Sequence, residues 1–143
     1  MYGALDISVS GLVAQRTRMQ TIAGNIANAD SILDPAGDPN AYRRRIAHFA
    51  PGDPSSTTSH GRGQGVHVSA ITLDDSPFRR VHDPDNPFAF PDGHPDAGYV
   101  LYPNIDPTIE QINGLEAARA YEANIAAAEA TKSMMSQALR LLA

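Results

Sequence analysis

The chain has 143 residues, a net charge of −5 and no cysteine. Its length corresponds to one domain, and the lack of cysteine excludes disulfides, thiol nucleophiles and thiolate metal sites. Because neither end carries a basic excess, we expect no nucleic-acid partner.

Proline divides the chain into three parts. All 11 prolines lie between Pro35 and Pro107, so helical ends should enclose a broken middle. We predict an N-terminal helix within 1–32, a small strand-rich and loop-rich module over 33–104, and a long helix within 105–143. The predicted fold class is mainly α with a small β module, in which the long N- and C-terminal helices pair as an antiparallel coiled coil.

The N-terminal segment has one apolar stripe. Four members recur every seven residues and three fill the offset positions: Leu5, Leu12, Met19 and Ile26, then Val9, Ile22 and Ala23. Gly11 and Gly24 each cost about 1 kcal/mol relative to alanine, so this helix should need packing to be stable. The same glycines should let a second helix approach closely.

This segment also bears on localisation and contacts. Residues 1–28 lack a basic leader and an unbroken apolar stretch, so we expect neither a cleaved signal peptide nor membrane insertion. Asn25 and Asn28 lie three residues apart, hence on one helix face. They either only end the helix or, in the interpretation we prefer, also bind a neighbouring subunit.

The middle should contain short strands joined by turns and one long loop. We predict four strands: Ala41 to Phe49, Val66 to Leu73, a third through Phe78, Arg80 and Val81, and a last over Tyr99 to Tyr102. A flexible loop over Pro51 to Gly65 should join the first two. Such short strands bury little area, so they should need support from the helices. Of the arginines at 43–45, one should pair with an aspartate on a solvated face.

The sequence contains only weak candidates for a catalytic or metal-binding site. Two His and three Asp lie close together in the middle: His82, Asp83, Asp85, His94 and Asp96. They occupy turns, where these residues are common without a metal. The glycine-rich run at 61–65 precedes a strand and opens no helix, so it should not bind phosphate. We therefore predict no catalytic, cofactor-binding or metal residue, no cofactor and no enzyme activity; a metal protein using these turns is the alternative.

The C-terminal helix should begin at Asp106 and Pro107, an N-cap followed by proline at the first helical position. Its apolar stripe, which Lys132 interrupts, has coiled-coil spacing and comprises Ala118, Tyr121, Ile125, Ala128, Met135, Leu139 and Leu142. This helix is longer than its N-terminal partner. Several of its turns should therefore remain uncovered and need another chain.

Two blocks of sequence resemble a known family. Residues 4–8, 11–19 and 22–29 resemble the N-terminal signature of bacterial flagellar rod and hook proteins. Residues 98–104, 116–124 and 132–134 are similar to the C-terminal signature of the family's proximal-rod members. Ile112 and Leu115 stand where family members often have methionine, and residues 88–94 look like a short insertion.

The resemblance implies a structural subunit of the basal-body rod, which polymerises through its terminal helices into the drive shaft that transmits motor torque for motility. It implies export by the flagellar type III apparatus to a periplasmic rod. Its partners would be further copies of this chain, the other proximal rod subunits, the adaptor to the inner-membrane ring, and the distal rod. A helical adaptor or axial subunit of another secretion-type appendage is the alternative.

The expected subunit contacts are fourteen residues of the two helices. They are Leu5, Leu12, Met19, Ile22, Asn25, Ile26, Asn28, Tyr121, Asn124, Ile125, Ala128, Met135, Leu139 and Leu142.

Overall fold

Two terminal helices enclose four short strands in the computed structural model, which describes residues 2–34, 36–52 and 64–142. The helices are α1 (Tyr2–Ala27) and α2 (Pro107–Leu142), and the strands are β1 (Arg45–Pro51), β2 (Val66–Leu73), β3 (Arg79–His82) and β4 (Tyr99–Tyr102). The strands form two separate two-stranded antiparallel sheets, β1 with β2 and β3 with β4. The predicted combination of paired terminal helices with a small β insert is confirmed.

Both helix boundaries follow from local hydrogen bonds. At the start of α2, the Asp106 carboxylate accepts hydrogen bonds from the backbone N–H groups of Thr108 and Ile109, at 2.8 and 3.3 Å, which confirms the predicted N-cap. At the end of α1, the Asn28 amide donates to the carbonyl of Gly24 at 2.8 Å. The same carbonyl also accepts the backbone N–H of Asn28 at 3.2 Å, so the side chain adds a second hydrogen bond at the end of α1.

The strands are close to their predicted positions, with shifts in β1 and β3. β2 and β4 have the predicted bounds, whereas β1 begins at Arg45 rather than at Ala41, and β3 begins at Arg79, so that Phe78 lies just before it. The backbone just before β1 bonds elsewhere: Tyr42 N–H donates to the Ser31 carbonyl, and Arg44 N–H donates to the Asn104 side chain. Pro51 belongs to β1 rather than to a loop, and most of the predicted flexible loop, residues 53–63, lies outside the described residues.

α1 and α2 run in opposite directions. Arg18 bonds Glu116, and Asn25 bonds Glu110, so residues late in α1 meet residues early in α2. Continuing this register places Tyr2, the first residue of α1, opposite Ser133. The end of α2, from Met134 to Leu142, therefore extends roughly nine residues, or about 13 Å, past the start of α1.

The apolar core is small and built largely from small side chains. Its buried members are Ala14, Ile22, Ala29, Ala41, Val100, Ile105 and Ala117. Four polar residues are buried with them: Ser8, Ser10, Asn25 and Glu110. None of the helices within the described ranges has the length and hydropathy needed to cross a membrane.

Candidate subunit-interaction surface

The two helices approach closely where α1 has a glycine. A Cβ atom built on Gly11 would lie 2.9 Å from the side-chain amide atoms of Asn124, closer than real Cβ atoms come to their neighbours. One partner of Ile22 is also a glycine, because a Cβ on Gly114 would touch its side chain at 3.6 Å. The prediction of a close approach holds at Gly11, whereas Gly24 faces the hydroxyl of Tyr42, not a second helix.

Nine of the less exposed residues of α2 recur in alternating steps of four and three. They are Glu110, Gly114, Ala117, Tyr121, Asn124, Ala128, Thr131, Met135 and Ala138. Asn113, Ala118 and Ala120 are half-buried as well. This series shares Tyr121, Ala128 and Met135 with the predicted stripe. It differs at Ile125 and Leu139, both of which are exposed.

Where α1, β1 and the start of α2 meet, buried polar groups hold the three elements together. The Asn25 side chain, only 1% exposed, donates both amide protons, one to Glu110 at 2.9 Å and one to the carbonyl of Arg45 at 2.8 Å. Its oxygen accepts from the backbone N–H of Arg45 at 2.9 Å. We refer to Asn25, Arg44 and Glu110 as the polar knot.

Arg44 supplies the counter-charge that allows Glu110 to be buried. Its guanidinium donates two hydrogen bonds to the Glu110 carboxylate, at 2.9 and 2.7 Å, and contacts Asp74 at 3.4 Å. Partial burial lowers the pKa of Arg44, but hydrogen bonds and charge from Glu110 and Asp74 outweigh that effect, so the pKa is raised. The predicted arginine–aspartate pair is therefore present, but both side chains are half-buried rather than on a solvated face. The stronger partner of Arg44, Glu110, is 66 residues away in the chain and has no local sequence signal.

Asp74 is itself held by the turn that follows β2. The backbone N–H of Ser76 donates to its carboxylate at 2.9 Å. Hydrogen bonds from the backbone and side chain of Ser76 lower the pKa of Asp74, and Arg44 lowers it further.

The β1–β2 hairpin is fastened to the other end of α1 through Ser10. The Ser10 hydroxyl accepts a hydrogen bond from the backbone N–H of Val66 at 3.1 Å and donates to the Ile7 carbonyl at 2.7 Å. Gly65 sits directly on Ser10, with no room for a Cβ and with a φ of 88°. Helix support, predicted for the strands from their shortness, is thus present for β1 and β2, whereas β3 and β4 pack on neither helix within the described part of the chain.

Beside this attachment, α1 and β2 leave an open groove of about 580 Å³. Its walls are mainly apolar and comprise Val9, Val13, Ala14, Thr17, Val66, Val68, Ala70 and Ile71, with Ser10 and His67. Val13 is 61% exposed and Val9 is also exposed. We name this surface the α1–β2 groove.

The predicted contact residues of α1 differ in burial. Leu5, Leu12 and Met19 are half-buried, Ile22 is buried and Ile26 is exposed. The contacts of α1 with α2 include those of Gly11, Arg18, Ile22 and Asn25. Gly11, Arg18 and Asn25 each directly precede a member of the predicted seven-residue repeat.

The two asparagines of α1 are engaged within the chain. Asn25 belongs to the polar knot, and Asn28 ends α1 through Gly24 while its side-chain oxygen accepts from the Ser31 hydroxyl at 3.3 Å. Both side-chain amide protons of Asn25 are donated within the chain. Asn25 therefore has no amide proton left to donate to a neighbouring subunit.

The predicted contact residues of α2 lie partly on the paired segment and partly beyond it. Tyr121, Asn124 and Ala128 are half-buried, with the Asn124 amide donating to the Ala120 carbonyl at 2.9 Å. Past the start of α1, Met135 is half-buried, Leu139 is 67% exposed and Leu141 is 88% exposed. Leu142 ends the helix, and its side chain lies outside the described residues. We call residues 134–142 the α2 overhang.

The His and Asp turns form ordinary turn contacts. The backbone N–H of Asp96 donates to His94 at 3.1 Å, the Asp96 carboxylate pairs with Arg80 at 2.8 Å, and His94 stacks on Phe90. Over residues 2–34, 36–52 and 64–142, no three His, Asp or Glu side chains gather in a way that could hold a metal ion.

Comparisons with known proteins match the segments that form this helix pair. A family model described as "Flagella basal body rod protein" matches residues 5–31, and one described as "Flagellar basal body rod FlgEFG protein C-terminal" matches residues 96–141. The chain is 37% identical to the flagellar basal-body rod protein FlgC of Bacillus subtilis, with 98% of this chain and 97% of that protein covered. The chain belongs to the FlgC family. FlgC of Yersinia enterocolitica is 40% identical, over 95% of this chain and 93% of that protein, and FlgC of Salmonella typhimurium is 38% identical over the same shares. Because these FlgC proteins align over nearly the full length, the similarity includes the strand module as well as the helices.

Proposed function

We propose that this chain is a structural subunit of the flagellar basal-body rod. The observation that carries the proposal is its similarity to FlgC proteins over nearly the full length of both chains. The resemblance expected from the terminal signatures agrees with both family models. No observation favours the alternative, a helical adaptor of another secretion-type appendage.

The chain polymerises through its terminal helices. The paired part of α1 and α2 forms an antiparallel coiled-coil seam, supported by the alternating spacing of the shielded positions along α2. The α2 overhang has no α1 residue opposite it in the same copy, so its apolar side chains are available to a neighbour. Contacts of this kind, between different patches, build an open helical assembly when the rotation between subunits does not close into a ring.

Subunit contacts fall on ten of the predicted residues, which are Leu5, Leu12, Met19 and Ile26 of α1 and Tyr121, Ile125, Ala128, Met135, Leu139 and Leu142 of α2. Ile22, Asn25, Asn28 and Asn124 act mainly within the chain, where they stabilise the helix pair. Transmission of torque needs many such contacts in parallel and no catalysis, which agrees with a role without enzyme activity.

The rod location brings specific partners. Membership of the FlgC family supports assembly with the other proximal rod subunits, with the adaptor to the inner-membrane ring and with the distal rod. It likewise supports export by the flagellar type III apparatus to the periplasmic part of the basal body. We expect basal bodies purified from the native host to contain this chain, and its absence from them would contradict the assignment.

Leu139 provides a direct test of polymerisation through α2. Leu139→Asp places a charge in the exposed apolar surface of the overhang, so it should prevent incorporation into basal bodies and abolish motility while secretion continues. Gln137→Asp is the matched control, because it adds the same charge on the opposite side of the same helix turn. Normal motility of the Leu139→Asp strain would refute the role of this surface.

A further inference from the structure

The α1–β2 groove and the α2 overhang are two apolar surfaces of the same chain that do not meet within one copy. By helix register, Val13 lies level with Glu122 of α2, whereas Leu139 lies 17 residues further along, about 25 Å away. The overhang of a copy therefore does not reach the groove of the same copy.

The overhang is an amphipathic helix end. At about 100° per residue, its six apolar residues occupy one arc of roughly 160°. They are Met134, Met135, Ala138, Leu139, Leu141 and Leu142. Ser136, Gln137 and Arg140 occupy the opposite side, together with Ser133 just before the overhang. A helix end with one wide apolar face buries that face when it docks and leaves the polar face to water.

The groove matches this helix end in length. Its α1 wall runs from Val9 to Thr17, about 12 Å along the helix, and the overhang measures about 13 Å. The other wall carries Val66, Val68 and Ile71 of β2. The overhang therefore reaches along the whole α1 wall.

The charges of the two surfaces also fit. Arg140, on the polar side, is the one charged residue of the overhang. The groove walls contain no Asp, Glu, Lys or Arg, and His67 already bonds the carbonyl of Gly52 at 2.8 Å. Docking would therefore strip water from apolar groups without burying an unpaired charge.

We infer that the α1–β2 groove of one copy receives the α2 overhang of a second copy of this chain. This inference rests on the proposed rod function, which requires two different, complementary patches on every subunit of an open assembly. The second copy supplies such a patch with matching length and polarity.

Engineered disulfides test the contact cleanly, because the chain has no cysteine of its own. Two differently tagged variants, Val13→Cys and Leu139→Cys, are expressed together in the native host in place of the natural copy, and purified basal bodies are oxidised. A disulfide needs Cα atoms within about 7 Å, so a bond between these positions forms only between copies. We expect a dimer carrying both tags, at least roughly tenfold more abundant than with the control pair Val13→Cys and Ile112→Cys, whose second cysteine is exposed near the opposite end of α2.

The outcomes separate this inference from the proposed function. Rods that contain both variants but no dimer above the control would overturn the groove contact and leave the rod assignment standing. Absence of the unmodified chain from basal bodies would overturn the rod assignment itself.

A photo-crosslinking amino acid at Val13, in otherwise natural rods, identifies the occupant directly. We expect mass spectrometry of the crosslinked product to find peptides from residues 134–142 of a second copy. A peptide from another rod subunit, or from residues 53–63 of the same chain, would overturn the inference.

Discussion

At the scale of single residues, Gly11 shows how the helix pair depends on a missing side chain. Glycine weakens a helix by about 1 kcal/mol relative to alanine, yet here it allows Asn124 to pack directly on the α1 backbone. Gly24 has no such contact, since its nearest neighbour is the Tyr42 hydroxyl at 3.9 Å. The two glycines therefore differ in role although they look alike in the sequence.

We expect Gly11→Ala to be less stable than Gly24→Ala by about 1–3 kcal/mol. The new methyl group at position 11 would displace Asn124 and break its bond to Ala120, whereas at position 24 alanine only strengthens the helix. Urea unfolding of the purified chain, followed by circular dichroism, measures the difference. Equal stability of the two variants would show that the helices do not approach closely at Gly11.

Asp74 gives the chain a defined response to acid. Its pKa is lowered in the folded chain by Ser76 and Arg44, so as the pH falls the unfolded chain takes up this proton first. The stability that Asp74 contributes is therefore present above its ordinary pKa of about 4 and is lost as the pH falls below that value.

We expect Asp74→Asn to lower stability at neutral pH and to make the remaining stability fall less steeply as the pH drops below about 4. Melting temperatures across this range test the expectation. Asp75→Asn serves as the control, because Asp75 is the exposed neighbour of Asp74 in the same turn. An unchanged pH profile for Asp74→Asn would mean that its interactions do not persist in solution.

At the scale of elements, the polar knot determines how α1, β1 and α2 fit together. Glu110 is 1% exposed and is held by Asn25 and Arg44. Glu116, one and a half turns later, pairs with Arg18 across the same helices, but its side chain is 68% exposed. Glu110 and Glu116 therefore anchor α2 at neighbouring points with very different burial, Glu110 through Arg44 and Asn25 and Glu116 through Arg18.

Glu110→Gln should cost about 3–5 kcal/mol, because it leaves Arg44 partly buried without its main counter-charge. Glu116→Gln, the matched control, should cost less than about 1 kcal/mol because solvent screens an exposed pair. Chemical unfolding of both variants measures how much stability each one loses. Similar losses for the two would show that burial of the knot does not contribute to stability.

At the scale of the whole molecule, α2 is packed against α1 along most of its length and extends past α1 at its end. Residues 107–133 of α2 lie along α1, whereas the overhang extends past it with Leu139 and Leu141 exposed. A helix segment without tertiary packing is only marginally stable in water. One copy therefore combines a packed helix pair with a helix end, the α2 overhang, that is only marginally stable.

Hydrogen exchange should show this division. In the isolated chain we expect backbone amides of residues 134–142 to exchange much faster than those of residues 110–130. In assembled rods the same terminal amides should become protected, since a neighbour then covers them. Uniform protection along α2 in the isolated chain would contradict this view.

The sequence by itself determined the three-part plan, because proline placement and hydrophobic spacing act locally. It predicted the Asp106 cap, β2, β4 and the uncovered end of α2, and its terminal signatures were enough to indicate the family. Only the tertiary structure decided which side of α1 meets α2, that Asn25 bonds Glu110 and Arg45, and that α1 and β2 enclose a groove. Those features depend on residues far apart in the chain, whose pairing follows from the register of the folded helices and strands rather than from any local pattern.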